Sequence, residues 1–199
     1  MKEGFTKKIL SKEGFAKKTL NQDSVTGKKK LRLITPAAEM KVAAEEYKKE
    51  FLENGEDRIH GSCGLARFEK FEEWLEYIEN TASGFTPGRL PSSTFFAFAF
   101  PENRIVGIAN VRHYLDEAAR KNGHVGYSVR PSERRKGYGT EILRLAVQKS
   151  YEFGTMEALV SCEKNNAASR RVIRRNGFEK IEEIKEENGD TIWLYSKMI

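Results

Sequence analysis

Residues 123–139 read GHVGYSVRPSERRKGYG, and the succession of residue types in this stretch decides the fold. HVGYSVR (124–130) reads as a strand, and Pro131-Ser132 turns the chain. Arg134, Arg135 and Lys136 then lead into a Gly-x-Gly loop, followed by the helix TEILRLAVQKSYEFG. A loop of this kind aims consecutive main-chain N–H groups, and the positive end of a helix, at whatever occupies its mouth. With three basic side chains in its wall it is an anion cradle, and a pyrophosphate suits it.

Two familiar phosphate motifs fail here. A P-loop needs Lys and then Ser or Thr after its second glycine, whereas Gly139 is followed by Thr140-Glu141. A dinucleotide fingerprint needs a third glycine and a parallel βαβ setting. The third glycine is missing, and the strands before the loop read as hairpins.

Upstream, LRLIT (31–35) reads as a strand, and Pro36 opens a helix that runs to Asn54 with Gly55 past its end. A glycine-containing loop (56–65) leads to LARFEKFEEWLEYIENTA, where Phe68, Phe71, Leu75 and Ile78 recur at helical spacing. SGFTPGRLPSS (83–93) is a loop by its Gly, Pro and Ser content. TFFAFAF (94–100), more core than ligand box, and RIVGIANVRHYL (104–115) form a hairpin across Pro101–Asn103. Downstream come the strand MEALVSC (156–162) and the helix NNAASRRVIRRN, stopped by Gly177. Two strands then meet across Asn188-Gly189, a hairpin signal. The order β-α-α-β-β-β-α-β-α-β-β predicts an α/β protein of the α+β type. Its sheet should be mixed, mostly antiparallel, with six to seven strands and about four flanking helices.

The chain has 199 residues and a formal net charge of +6. Residues 1–30 carry nine lysines against Glu3, Glu13 and Asp23, which accounts for the whole excess and leaves 26 basic and 26 acidic side chains in the rest. A balanced body gives no footprint for nucleic acid. The segment 1–30 also holds a nine-residue repeat, KEGFTKKIL and KEGFAKKTL. It reads as a flexible basic leader, with docking on an anionic surface as the alternative. Residues 31–199 are expected to form one domain. No run of 18 apolar residues and no signal-peptide h-region occur, so no membrane association is expected. Two isolated cysteines, Cys63 and Cys162, and no zinc-ligand spacing point to a cytoplasmic protein without a metal.

Two segments resemble the GNAT superfamily, the Gcn5-related N-acetyltransferases. Arg134-Arg135-Lys136-Gly137-Tyr138-Gly139 after Val129-Arg130-Pro131 is similar to the family's acyl-CoA loop. Asn166-Ala167-Ala168-Ser169 before Gly177-Phe178 is similar to its second motif helix. The stretch HVGYSVRPSERRKGYGTE also resembles a group of bacterial acetyltransferases without an assigned substrate. The resemblance implies the GNAT fold, acetyl-CoA as co-substrate, and direct transfer to an amine acceptor in a ternary complex. A homodimer stays open.

By the same resemblance, the amides of residues 135–140, Thr140 included, would hold the pyrophosphate. Ser128 and Arg130 would pair with the pantetheine arm through their backbone. An N–H near Val129 would stabilise the oxyanion, and Asn166 would bond the arm, or simply cap its helix. In such enzymes the cofactor strand splays from the next one, and the thioester enters the gap.

His124 is the candidate general base, with a half-exposed strand-end histidine as the alternative. His113 is weaker, and His60 would line an acceptor pocket built from residues 56–93. Cys162, with no His or acid to partner it in sequence, reads as a small buried strand residue. Arg170, Arg171, Arg174 and Arg175 form either a solvated face or a site for the 3′-phosphate end. The chain departs from the pattern at Ile173, where many members carry the tyrosine that protonates the leaving thiolate, and at Ser161, where N-terminal protein acetyltransferases have a glutamate. Ser169, Tyr127 or water would have to replace the acid. The departures also admit an acyl-CoA-binding sensor without turnover.

Overall fold

The computed structural model describes residues 30–199. The leader expected over 1–30 therefore lies outside the described residues, except Lys30, the first residue of a strand. The elements in chain order are β1 (Lys30–Ile34), α1 (Lys41–Glu53), α2 (Phe71–Ala82), β2 (Ser92–Phe100), β3 (Arg104–Arg112), α3 (Glu117–Arg120), β4 (Val125–Val129), α4 (Tyr138–Glu152), β5 (Glu157–Glu163), α5 (Ala167–Arg175), β6 (Glu179–Lys185) and β7 (Thr191–Met198). Every strand pairing is antiparallel, and the seven strands divide into sheets ordered β1-β2-β3-β4 and β5-β7-β6. A lone bridge between Gly123 and Val160 joins them. The division falls where a splay was expected, between the strand before the Gly-x-Gly loop and the next strand.

The alternation of β2 builds two cores at once. Phe95, Ala97 and Ala99 face α4 with Ile142, Leu143 and Ala146. Phe96 and Phe98 face α1 and α2, among Tyr47, Phe51 and Trp74. A strand covered on both faces reads as a continuous apolar run, as TFFAFAF does. In α2 the spacing of Phe71, Trp74 and Ile78 gives one buried stripe over the sheet.

Several boundaries differ from expectation for local reasons. The second helix begins at Phe71, not Leu65, because Gly64 is left-handed and Phe68 is extended, which confines residues 65–67 to a 3-10 turn. The strand expected to reach Leu115 ends at Arg112. Asp116 caps the unforeseen one-turn α3 by accepting from the Ala119 N–H at 2.7 Å. At the last hairpin the Glu186 N–H donates to the Asp190 carbonyl at 2.9 Å, so the loop spans residues 187–189 rather than two.

Candidate active site

β4 and β5 are facing edges of the two sheets, and backbone alternation says what β4 offers the gap. The Arg130 N–H donates to the Val106 carbonyl at 2.8 Å, and the Arg112 N–H to the His124 carbonyl at 2.8 Å. With the register Ser128 to Ile108 and Gly126 to Asn110, the even-numbered residues of β4 bond to β3. The main-chain groups of Val125, Tyr127 and Val129 therefore point away from β3. Ser128 and Arg130, expected to pair with an extended ligand through their backbone, are turned to the wrong side. The N–H of Val129, expected to stabilise the oxyanion, points away from β3.

The chain leaves β4 through a 3-10 turn at Pro131–Glu133 and enters α4 through the basic loop. Arg135 (φ 62°) and Gly137 (φ 88°) are both left-handed, a pattern that gathers successive N–H groups on one side. The Arg134 N–H donates to the Pro131 carbonyl at 3.3 Å and the Thr140 N–H to the Gly137 carbonyl at 3.1 Å. Thr140 thus has no amide for an anion. Those of Arg135, Lys136, Gly137 and Gly139 make no hydrogen bond among the described residues. Together with the start of α4 they form an open cradle. The Tyr138 ring is buried in the core and sits outside it.

Basic side chains here have structural partners too. Arg130 is buried, with its Nε 2.5 Å from Glu50 Oε2 and Nη1 donating to the Ile105 carbonyl at 3.3 Å. It is a brace between β4 and α1, not a cofactor ligand as expected. Glu50 also accepts from Arg104 and from the Ser132 N–H at 2.8 Å, so one carboxylate of α1 holds the turn that precedes the cradle. Burial alone would raise the Glu50 carboxyl. The Ser132 N–H and the Arg130 guanidinium outweigh it and hold the group at about 2. Arg134 pairs with Glu56 at 2.8 Å, Lys136 with Glu133 at 3.0 Å, and Tyr47 bonds Ser128 Oγ at 3.2 Å. No sequence pattern announces Tyr47 or Glu50, because their partners are 81 and 82 residues away at the farthest.

His124 does not take the role of a base. Its Nδ1 accepts the Leu159 N–H at 3.0 Å, so the proton of the neutral ring sits on Nε2 and the free lone pair is engaged. Its own N–H donates to the Leu159 carbonyl at 2.7 Å. Burial and the neighbouring Arg112 lower its pKa and keep it neutral. His124 therefore clamps the two sheets where they come closest. His113 is also structural, stacked 4.0 Å from Phe153 and bonded to Ser93 at 2.9 Å.

At the gap, Asn166 caps α5 by accepting from the Ser169 N–H at 2.9 Å, which leaves its amide nitrogen to meet a ligand. Ser169 Oγ lies 3.3 Å from the Tyr127 hydroxyl, and burial pushes that phenol up to about 12. The Cys162 thiol is likewise raised by burial, the opposite of an activated nucleophile. Ile173 is fully buried in the core. Arg170 stacks 4.9 Å from the Trp193 ring, while Arg171, Arg174 and Arg175 are exposed.

Beside the gap opens a cavity of about 960 Å³. Its walls are the loop 57–68, the start of β4 at Val125 and Gly126, the end of β5 at Cys162 and Glu163, and the β6–β7 hairpin. His60, expected to line an acceptor pocket, lies in its wall, and the contribution of the last hairpin was not foreseen.

The family model for the acetyltransferase (GNAT) domain matches residues 69–179. No curated protein matches the chain. Among solved structures, the ribosomal L7/L12 alpha-N-protein acetyltransferase RimL in complex with coenzyme A shares 19% identity, with a TM-score of 0.62 over 85% of this chain and 94% of that one. RimJ of Mycobacterium smegmatis in complex with CoA-disulfide gives 15% and 0.64 over 84% and 81%. The acetyltransferase yncA of Salmonella typhimurium with acetyl-CoA, itself described as putative, gives 15% and 0.57 over 85% and 93%. At these identities the likeness carries the fold alone.

Proposed function

This chain belongs to the GNAT acetyltransferase family, and we propose that it passes the acetyl group of acetyl-CoA to a primary amine by direct attack in a ternary complex. The open outer edge of β4, running into the unbonded amides of the loop at α4, carries this reading. The amides of Arg135, Lys136, Gly137 and Gly139 suit a pyrophosphate. The outward N–H of Val129, whose carbonyl already accepts from Arg134 Nε at 3.2 Å, and the main-chain groups of Tyr127 suit a peptide-like arm laid along the strand. One of those N–H groups would polarise the thioester carbonyl and stabilise the oxyanion. The amine would arrive from the cavity. The nitrogen attacks the carbonyl carbon, the C–S bond breaks, and the thiolate takes a proton from the Tyr127–Ser169 pair, whose hydroxyls lie 3.3 Å apart.

RimL is an alpha-N-protein acetyltransferase of ribosomal L7/L12, and a cavity of about 960 Å³ admits a chain terminus. A protein N-terminus is accordingly the first acceptor class to try. The basic loop contributes a separate test. An added Cβ at Gly137 meets nothing within 4 Å, so Gly137→Ala is opposed only by its left-handed backbone. Relaxation of the loop should then weaken CoA binding roughly tenfold, read by calorimetry, from a strain of about 1–2 kcal/mol. Unchanged affinity would remove the loop amides from the site.

The buried Ile173, in place of the expected acid, supports a second reading as a CoA-binding sensor. Thiol release from acetyl-CoA, measured against free-amine peptides and small primary amines, separates the two. Release above hydrolysis, reduced about tenfold to a hundredfold in Tyr127→Phe and Ser169→Ala, is expected of the enzyme. Tight CoA binding with no release would establish the sensor.

A further inference from the structure

We propose that His60 is the general base that deprotonates the acceptor amine. This rests on the acetyltransferase reading above. The inference starts from the segment Ile59–Cys63, which is held too rigidly to be a mere surface loop. Ile59 is buried in the core. Ser62, also buried, donates from Oγ to the Ile59 carbonyl at 2.7 Å and accepts the Leu65 N–H at 3.1 Å. Its carbonyl accepts the indole N–H of the fully buried Trp74 at 2.8 Å. Cys63 sits in the left-handed region at φ 51°, a conformation that persists only when its surroundings impose it.

Between these anchors Gly61 lies on the backbone of β4. An ideal Cβ there would fall 2.4 Å from the Gly126 carbonyl oxygen and 2.7 Å from Tyr127 Cα. Gly61 is thus pressed onto the strand beside Tyr127, whose N–H faces the gap. His60 is one residue away and lines the cavity that opens there.

The His60 ring differs from the other two in having no hydrogen-bond partner among the described residues, whereas the His113 and His124 rings are both bonded. The charged groups acting on it are Glu163, from the end of β5 across the cavity, and Arg58 and Glu56 on its own segment. Burial and Arg58 lower its pKa, and the two glutamates oppose them. The ring therefore stands neutral at pH 7 with a lone pair to offer, as a base needs. A rigid arm presenting a free imidazole beside the open strand edge is the arrangement His124 was expected to supply. In the reaction an R–NH₃⁺ acceptor gives one proton to the ring. The neutral amine then forms the C–N bond as the C–S bond breaks, the thiolate takes a proton from the Tyr127–Ser169 pair, the nitrogen's second proton replaces it there, and the imidazolium returns its proton to bulk water.

The test uses the full chain with acetyl-CoA and free-amine hexapeptides, alongside small primary amines. In His60→Ala, kcat/KM for the acceptor should fall at least about a hundredfold at pH 7. The residual rate should climb with pH to 9 and beyond, where amines deprotonate unaided, while the wild-type rate levels off above the histidine pKa. CoA affinity by calorimetry should stay within twofold, which also shows that the variant folds. His60→Gln should behave as the alanine variant does, since it keeps the polarity but cannot take a proton. A wild-type pH profile retained in both variants, with rates within threefold, overturns the base. A wild-type protein that binds CoA but acetylates none of these amines sinks the enzyme reading and the base with it.

Discussion

Glu50→Ala should lower the midpoint of thermal unfolding at pH 7 by about 10 °C. The Arg130 side chain is 7% exposed and pairs with Glu50, itself 21% exposed. Removing the carboxylate strands a buried guanidinium, a change that costs about 3–5 kcal/mol. In a domain of this size each kcal/mol shifts the midpoint by roughly 2–4 °C. If the penalty is the stranded charge, then adding Arg130→Met to Glu50→Ala should recover a large part of the loss. The carboxyl is held at about 2, below its ordinary 4.5. A depressed acid contributes stability that is complete above the ordinary value and is lost as pH falls toward the native one. Wild type should therefore weaken faster than Glu50→Gln between about pH 5 and pH 2. Glu50→Ala also frees the Ser132 N–H and loosens the turn before the cradle, so its CoA affinity should fall as well. An alanine variant that unfolds within 2 °C of wild type would end the account of Glu50 as the brace.

The elements that place this site were legible wherever the signal is local. Apolar spacing showed α2, a Gly-x-Gly loop with basic neighbours pointed to the cradle, and hairpin turns showed the antiparallel sheet. The division into two sheets followed only from the resemblance, since no residue type marks an edge strand that stays unpaired. Side-chain direction was the weaker part. Arg130 reads as one more cation in a basic stretch, yet its own N–H bonds inward to β3 and its side chain runs to Glu50 on α1. His124 has suitable chemistry, but the pairing that would engage its Nδ1 comes from Leu159, 35 residues away. His60, expected to line an acceptor pocket, lies in a short glycine-containing loop that walls a cavity. What separates His60 from its two rivals is long-range: the His113 and His124 rings are bonded by Ser93 and by the Leu159 N–H. Alternation along β4 could have excluded Ser128 and Arg130 as backbone partners, had the direction of the β3 pairing been known.

Gly61→Ala should be far more damaging than Gly137→Ala, although both glycines are left-handed. The shared backbone strain is about 1–2 kcal/mol. At Gly137 nothing else opposes a methyl group, whereas at Gly61 it would drive into the backbone of Gly126 and Tyr127. Backbone cannot step aside as a side-chain tip can, and overpacking of this kind adds about 1–3 kcal/mol. The midpoint should drop by roughly 10 °C for Gly61→Ala and by less than about 5 °C for Gly137→Ala. Function should split the other way. Gly61→Ala lifts the His60 segment off β4 at the acceptor end, so acetyl transfer should fail while CoA still binds. Gly137→Ala disturbs the cradle at the opposite end of β4, so affinity for CoA should fall while the rate at saturating acetyl-CoA holds. The crossed pattern is what two separate ends of one strand predict. Equal loss of affinity in both variants would mean that the His60 segment shapes the whole CoA groove, and the division of β4 into a cradle end and an acceptor end would have to be abandoned.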